Sequence, residues 1–202
     1  LDRMRRMQKI PKLILSSSCA VYGNNAGTVD KISETLEVDL TTPYAVQKYS
    51  QELYATLFAK LWNIPTIILR YFNVYGTKRQ SENSSYPNVI ASFTKNMKKS
   101  GRIWITGDGT QSRDYVHVYD VVSANISAMN SELLTCEIFN VGTGVEVSIN
   151  EIADNFKCER DYISARCGDI MNSCADTSKI NSILGWKAQI SFKQGIDIYL
   201  NL

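Results

Sequence analysis

Three serines in a row close the first apolar run of this sequence. Leu13, Ile14 and Leu15 lead into Ser16, Ser17 and Ser18, followed by Cys19, Ala20 and a Val-Tyr-Gly ending at Gly23. Small hydroxyl residues favour turns and local backbone hydrogen bonds over a continuing strand. Catalytic groups of open α/β proteins collect at the carboxyl edge of the sheet. Downstream, "TTPYAVQKYSQELYATLFAKLWNIP" places Tyr44 and Lys48 at i and i+4. On a helix these two side chains are neighbours on one face. A hydroxyl, a phenol and an ammonium together form a set for moving a proton. A phenol in water ionises near pH ~10, and a base working near neutrality needs that lowered by about 3, roughly 4 kcal/mol. One ammonium at ~6 Å with an effective dielectric of ~20 contributes about 2.8 kcal/mol, a large part but not the whole. The Tyr-x-x-x-Lys spacing alone arises often by chance; the serine-rich strand end upstream makes it specific.

The elements that must hold these groups read as an alternation. A short polar helix end at Asp2 to Met7 precedes a strand from Lys12 to Ser16, and a long loop carries Gly23, Gly27 and an acidic stretch, Glu34 to Asp39. Thr42 can cap the following helix, Pro43 suits its first position, and Asn63 to Pro65 ends it. On that helix Val46, Tyr49, Leu53 and Leu57 fall on one stripe, with Tyr44, Lys48, Gln51 and Ala55 opposite. "TIILRYFNVYG" reads as one buried strand by its β-branched run. "YPNVIASFTKNMKKSG" predicts a helix stopped by Gly101, "RIWIT" a strand, "VYDVVSANISAMNS" a helix, "EIFNVG" a strand and "SINEIADNF" a helix. Short helical segments fill Asp176 to Leu202. The fold class is α/β with a largely parallel, doubly wound sheet.

Composition narrows the partners. The 202 residues are 44% hydrophobic and 21% charged with a formal net charge of +2, ordinary for a soluble globular protein. That balance gives no reason to expect nucleic acid, and the basic clusters at Arg3 to Lys12 and Lys95 to Arg102 read as solvated faces. No apolar run has the length of a membrane span, and no signal peptide opens the chain. Five cysteines without a C-x-x-C pair, and His117 as the single histidine, argue against a disulfide framework and against a metal. A reduced, cytoplasmic setting is the simplest expectation.

In order along the chain stand "SSSCAVYG", "TTPYAVQK", "LRYFNVYG", "GDGTQSRDYVHVYDVV", "FNVGTG" and "RCGDIMNSCADTSKINSILGW". Together they resemble the extended short-chain dehydrogenase/reductase family, the NAD-dependent epimerases and dehydratases, and specifically its nucleotide-sugar epimerases. The resemblance implies a Rossmann domain that binds NAD and a smaller carboxyl-terminal substrate domain. Residues 1–76 would finish the Rossmann part, with returns near 116–141, and 77–202 would be mainly substrate domain. It implies Ser18 as catalytic serine, Tyr44 as base and Lys48 as its partner. Ser16, Ser17, Tyr44, Lys48, Tyr71 and Phe72 would face NAD. Ser18 and Asn73 would meet the substrate, Asn73 at its diphosphate. Val89 and Trp104 would line a uridine pocket, and Arg113, Arg166 and Asp169 would hold phosphates and ribose. The implied reaction removes the proton of a sugar C4 hydroxyl while C4 gives hydride to NAD⁺. The 4-keto sugar turns over and takes hydride back on its other face. A homodimer packed through the Tyr44 helix is implied as well.

Relatives that dehydrate carry Asp-Glu after the serine or threonine, and those that decarboxylate carry Glu before Val-Tyr-Gly. Cys19 and Ala20 stand here and can do neither chemistry, so epimerisation of a UDP-hexose leads. Another epimerase, a dehydratase, a decarboxylase, or a non-catalytic sensor of nucleotide sugars are the alternatives. In the resembling enzymes the residue four positions after the Asp of R-x-G-D faces the sugar C2 substituent. Here that is Ser173, small enough for an acetamido group, which points to UDP-N-acetylglucosamine and UDP-N-acetylgalactosamine, with UDP-glucose and UDP-galactose as further candidates. Two departures stand out. The glycine-rich phosphate turn of the family is not in this sequence, and the chain opens on Leu1. The expectation is that roughly the first third of the enzyme lies outside these residues and that this stretch alone is inactive. Asn150 to Arg166 is also shorter than the family pattern.

Overall fold

The computed structural model describes residues 1–77, 88–165 and 170–201. In chain order the elements are β1 (Leu13–Ser18), α1 (Pro43–Trp62), β2 (Thr66–Tyr71), β3 (Asn73–Tyr75), α2 (Val89–Ser100), β4 (Arg102–Thr106), β5 (Ser112–His117) and α3 (Val118–Asn130). β6 (Cys136–Val141), β7 (Glu146–Ser148), α4 (Ile149–Ala153), β8 (Glu159–Ile163), α5 (Ser178–Leu184) and α6 (Phe192–Asn201) follow, with 3-10 turns at Met4–Arg6 and Cys19–Thr28.

β1, β2 and β6 form a parallel sheet in that order, with Ser17 beside Arg70 and Arg70 beside Asn140. Side chains alternate between the two faces of a strand. Ile67, Leu69, Phe139 and Val141 therefore turn together to one face and pack on Val121, Ala124 and Ala128 of α3, closed by Ile180 and Trp186. Burying each large aliphatic contributes about 1.5–3 kcal/mol, and the Trp186 indole donates to Ser123 Oγ at 2.8 Å, so its polar edge is not orphaned. The other face carries α1. Its buried residues are Ala45, Glu52, Ala55 and Ala59, so the side with Tyr44, Lys48 and Ala55 is the one turned to the sheet. Val46, Leu53 and Leu57 point outward at 44%, 55% and 48% exposure.

The helix punctuation follows the sequence. Thr42 Oγ1 accepts the Ala45 N–H at 3.1 Å, and Asn63 ends α1 in the left-handed region at φ 51°. Gly101 ends α2 at φ 68°. Other expectations change. The run from Thr66 breaks at Phe72, whose N–H donates to the Val141 carbonyl at 3.0 Å, and resumes as β3 beside β5 instead of β1. Val116 thus lies in β5, which pairs with β3 and, antiparallel, with β7, whereas 138–141 belongs to β6 of the first sheet. The helix expected over "SINEIADNF" is only Ile149–Ala153, opened by a reciprocal cap between Ser148 and Glu151. β4 pairs with β8, an element the sequence reading did not contain. A second apolar core beneath α2, β5 and α6 gathers Tyr75, Phe93, Ile103, Tyr115, Phe156 and Ile196. Among the described residues no helix is long and apolar enough to cross a membrane.

Candidate active site

β1 delivers its serines to the carboxyl edge of the parallel sheet, and α1 begins above that edge. Lys48 Nζ donates to the Ser16 carbonyl oxygen at 3.0 Å and stands 5.8 Å from the centre of the Tyr44 ring. Tyr44 itself is 52% exposed. Ser18 Oγ accepts the Ala20 N–H at 3.2 Å, which turns the chain out of the strand into the 3-10 segment. Ser16 Oγ and Tyr71 Oη are 3.0 Å apart, and the Tyr71 hydroxyl donates to Asn125 Oδ1 at 3.0 Å. One edge therefore gathers Ser16, Ser18, Tyr44, Lys48 and Tyr71. Among the described residues Lys48 keeps two N–H donors beyond its bond to Ser16. Cys19, next to Ser18, has its thiol pushed up to about 12, chiefly by burial, so it stays a thiol and not a nucleophile.

Two residues expected at the cofactor, Ser17 and Phe72, are buried. Ser17 is the alternate residue on the strand, so its side chain turns to the α1 face, 3% exposed, and its hydroxyl donates to Glu52. The Ser17 hydroxyl is thus engaged with α1 and not turned to the side of Ser16 and Ser18. Phe72 is 3% exposed, packed with Val21, Tyr22 and Ile32.

A cleft of about 420 Å³ opens beside β3, α2, β4 and β5, and it brings Asn73, Val89, Trp104 and Arg113 together. Asn73 Nδ2 donates to the Asp114 carbonyl at 3.1 Å, and Arg113 Nη1 donates to the carbonyls of Ser112 at 2.7 Å and Met171 at 3.1 Å. Gln111, Asn96 and Tyr115 also line the cleft and were not singled out in the sequence. Gln111 sits in the quoted "GDGTQSRDY" stretch, two residues before Arg113, which was the available signal. Ser173 does not line this cleft: it is 6% exposed, and its carbonyl accepts the Asp114 N–H at 2.8 Å. Arg166 and Asp169 lie outside the described residues.

Asp114 ties these pieces together. Its carboxylate, fully buried, accepts the N–H groups of Thr143 at 2.8 Å, Gly144 at 2.9 Å and Ala175 at 3.2 Å, and the Thr143 hydroxyl at 2.8 Å. Burial pushes its pKa up while the N–H donors oppose that shift. Gly142 makes the approach possible, since a Cβ there would stand 2.5 Å from Asp114 Oδ2.

A family model described as the NAD dependent epimerase/dehydratase family matches residues 1–142. The chain belongs to that family. Among its relatives, a putative UDP-glucose 4-epimerase of Methanocaldococcus jannaschii is 38% identical over 98% of this chain and 65% of its own length. A solved UDP-glucose 4-epimerase of Thermotoga maritima, bound to UDP-glucose, superposes with a TM-score of 0.88 at 33% identity, covering 99% of this chain and 65% of that one. A UDP-N-acetylglucosamine 4-epimerase of Methanobrevibacter ruminantium, bound to UDP-N-acetylmuramic acid, gives 0.83 at 33% identity, over 95% and 64%. The chain thus spans about 65% of the length of these epimerases.

Proposed function

We propose that this chain carries the proton-transfer and sugar-nucleotide-binding parts of an NAD-dependent UDP-hexose 4-epimerase, acting on UDP-N-acetylglucosamine. One observation carries the proposal: the Lys48 ammonium is held between the Ser16 carbonyl and the Tyr44 ring, at the edge where Ser18 ends its strand. The donor set suits a cofactor ribose, since a half-exposed phenol and two spare ammonium N–H groups meet vicinal hydroxyls well. Tyr44 and Lys48 would hold NAD there, with Ser16 and Tyr71 alongside. When bound, NAD supplies reversible hydride chemistry at the sugar C4.

The chain's own residues handle the proton. Tyr44 Oη takes it from the C4 hydroxyl, with the Lys48 ammonium 5.8 Å from the centre of its ring. Ser18 hydrogen-bonds the same hydroxyl and keeps its oxygen in line with Tyr44. The Asn73 amide and the Arg113 guanidinium in the neighbouring cleft suit a diphosphate, which accepts paired N–H donors. Trp104 and Val89 offer the flat apolar wall a pyrimidine needs. The outward stripe of Val46, Leu53, Tyr54, Leu57 and Leu61 on α1 supports a homodimer through that helix.

The test follows UDP-N-acetylglucosamine by proton NMR with the complete protein and NAD⁺. Conversion to an equilibrium mixture with UDP-N-acetylgalactosamine is expected. No conversion of this sugar or of UDP-glucose overturns the proposal. The choice of sugar has its own test in Ser173→Tyr, which should abolish turnover of the N-acetyl sugar and spare UDP-glucose. Because Ser173 is buried, melting temperature is measured alongside. Equal survival of both activities in a folded variant removes Ser173 as the gate.

A further inference from the structure

The fully buried positions of α1 are alanine but for one, while the half-buried Tyr49 packs to the side against the cluster of Val21 and Tyr22. Ala45, Ala55 and Ala59 permit close approach but offer no knob to lock the helix against sliding or rotation. Glu52 is the one long side chain among the buried residues of α1, at 2% exposure. Its carboxylate takes a two-point bond from Arg70 of β2, Nε at 3.0 Å and Nη2 at 2.6 Å, and accepts the Ser17 hydroxyl of β1. A single side chain thus fastens the helix to both strands.

Those strands present a prepared row. Ser17, Arg70 and Asn140 lie side by side across β1, β2 and β6, one residue short of the carboxyl edge. Tyr22 covers Arg70, its ring centre 4.9 Å from the guanidinium carbon, and its hydroxyl donates to Asn140 Oδ1 at 2.8 Å. A buried ion pair is a weak source of stability, since its desolvation cost offsets most of the attraction, and its better-attested use is to fix a register. Here the register matters, because Lys48 and Tyr44 lie one and two turns before Glu52 on the same side of α1.

We propose that Glu52 is a positioning residue, which through Arg70 and Ser17 sets the axial and rotational place of α1 so that Lys48 meets the Ser16 carbonyl and Tyr44 the edge beside Ser18. The part of this concerning turnover rests on the epimerase function proposed above; the placement of Lys48 does not.

The experiment replaces the pair together in the complete protein, as Glu52→Leu with Arg70→Met, so that neither charge is left buried alone. Two quantities are read: the rate at which an acylating reagent labels Lys48, by mass spectrometry, and kcat with KM for the sugar nucleotide. Faster Lys48 labelling is expected, with kcat lowered about 100-fold, the cost of a misplacement near 1 Å, and KM unchanged. Should the double variant fail to fold, Arg70→Lys keeps the charge but loses the two-point bond. Labelling should rise there too, with kcat down about tenfold. Wild-type labelling and wild-type kcat in a folded variant would show the pair to be structural only. A wild-type protein without epimerase activity removes the function and leaves the labelling result to decide the positioning.

Discussion

Tyr44→Phe in the complete enzyme is expected to lower kcat by about 10²–10⁴-fold, the contribution typical of a positioned acid or base, with KM for the sugar nucleotide nearly unchanged. The split follows from where the groups stand. Phenylalanine keeps the ring that lies 5.8 Å from Lys48 Nζ and removes only the oxygen proposed to accept the C4 proton. Asn73 and Arg113 line a cleft that does not include Tyr44, so binding has no reason to suffer. Tyr44 is 52% exposed, and a change there leaves no buried donor unpaired, so the melting temperature should stay put. Steady-state kinetics with isothermal calorimetry of the sugar nucleotide checks both halves. Turnover within tenfold of wild type would sink the role assigned to Tyr44.

Asp114→Ala should be the most damaging change to stability. It strands the buried Ala175 N–H and the half-buried N–H groups of Thr143 and Gly144, and it leaves the Thr143 hydroxyl only the Val145 carbonyl at 3.1 Å. A buried donor left unsatisfied costs about 1–3 kcal/mol, so a loss of about 3–5 kcal/mol is expected, a large share of the 5–15 kcal/mol that holds a domain together. For a chain of this size the melting temperature should drop by about 10 °C or more. Asp114→Asn separates shape from hydrogen bonding. The amide keeps the volume and one acceptor oxygen but turns its NH2 toward the N–H groups on the other side, so it should recover only part. Full recovery by asparagine, or a loss under about 1 kcal/mol with alanine, would mean that the carboxylate is not what joins these segments.

The sequence revealed best what depends on local periodicity. Tyr44 and Lys48 share a face because a helix repeats every ~3.6 residues, and Thr42, Asn63 and Gly101 mark ends by side-chain and backbone chemistry that acts within a few residues. Contacts between distant segments were not legible. Nothing near Lys48 announces that its partner is the Ser16 carbonyl, and nothing near Glu52 announces Arg70. β5 opens on Ser112, Arg113 and Asp114, polar residues that carry no strand pattern of their own. The Asp114 carboxylate is satisfied by residues 143, 144 and 175, which no short window contains. Ser17 stands between Ser16 and Ser18 in the sequence, yet strand alternation sends its side chain to the opposite face, where the Glu52 carboxylate of α1 accepts its hydroxyl. The break at Phe72 had no signal either, since both halves of that run are equally rich in β-formers.

The adjacency of β2 and β6 also sets an order in time. β1, α1 and β2 can assemble from neighbouring sequence, but β2 has no second partner until the whole stretch from Phe72 to Thr135 has been made. Closing so long a connection adds little to the equilibrium cost, because loop entropy grows only as the logarithm of length. The delay is kinetic. At about 5–20 residues per second on the ribosome, Ile67 and Leu69 wait on the order of ten seconds for Phe139 and Val141. During that interval β2 offers an open edge and an uncovered apolar face, and a growing chain is most prone to pair there with the wrong strand.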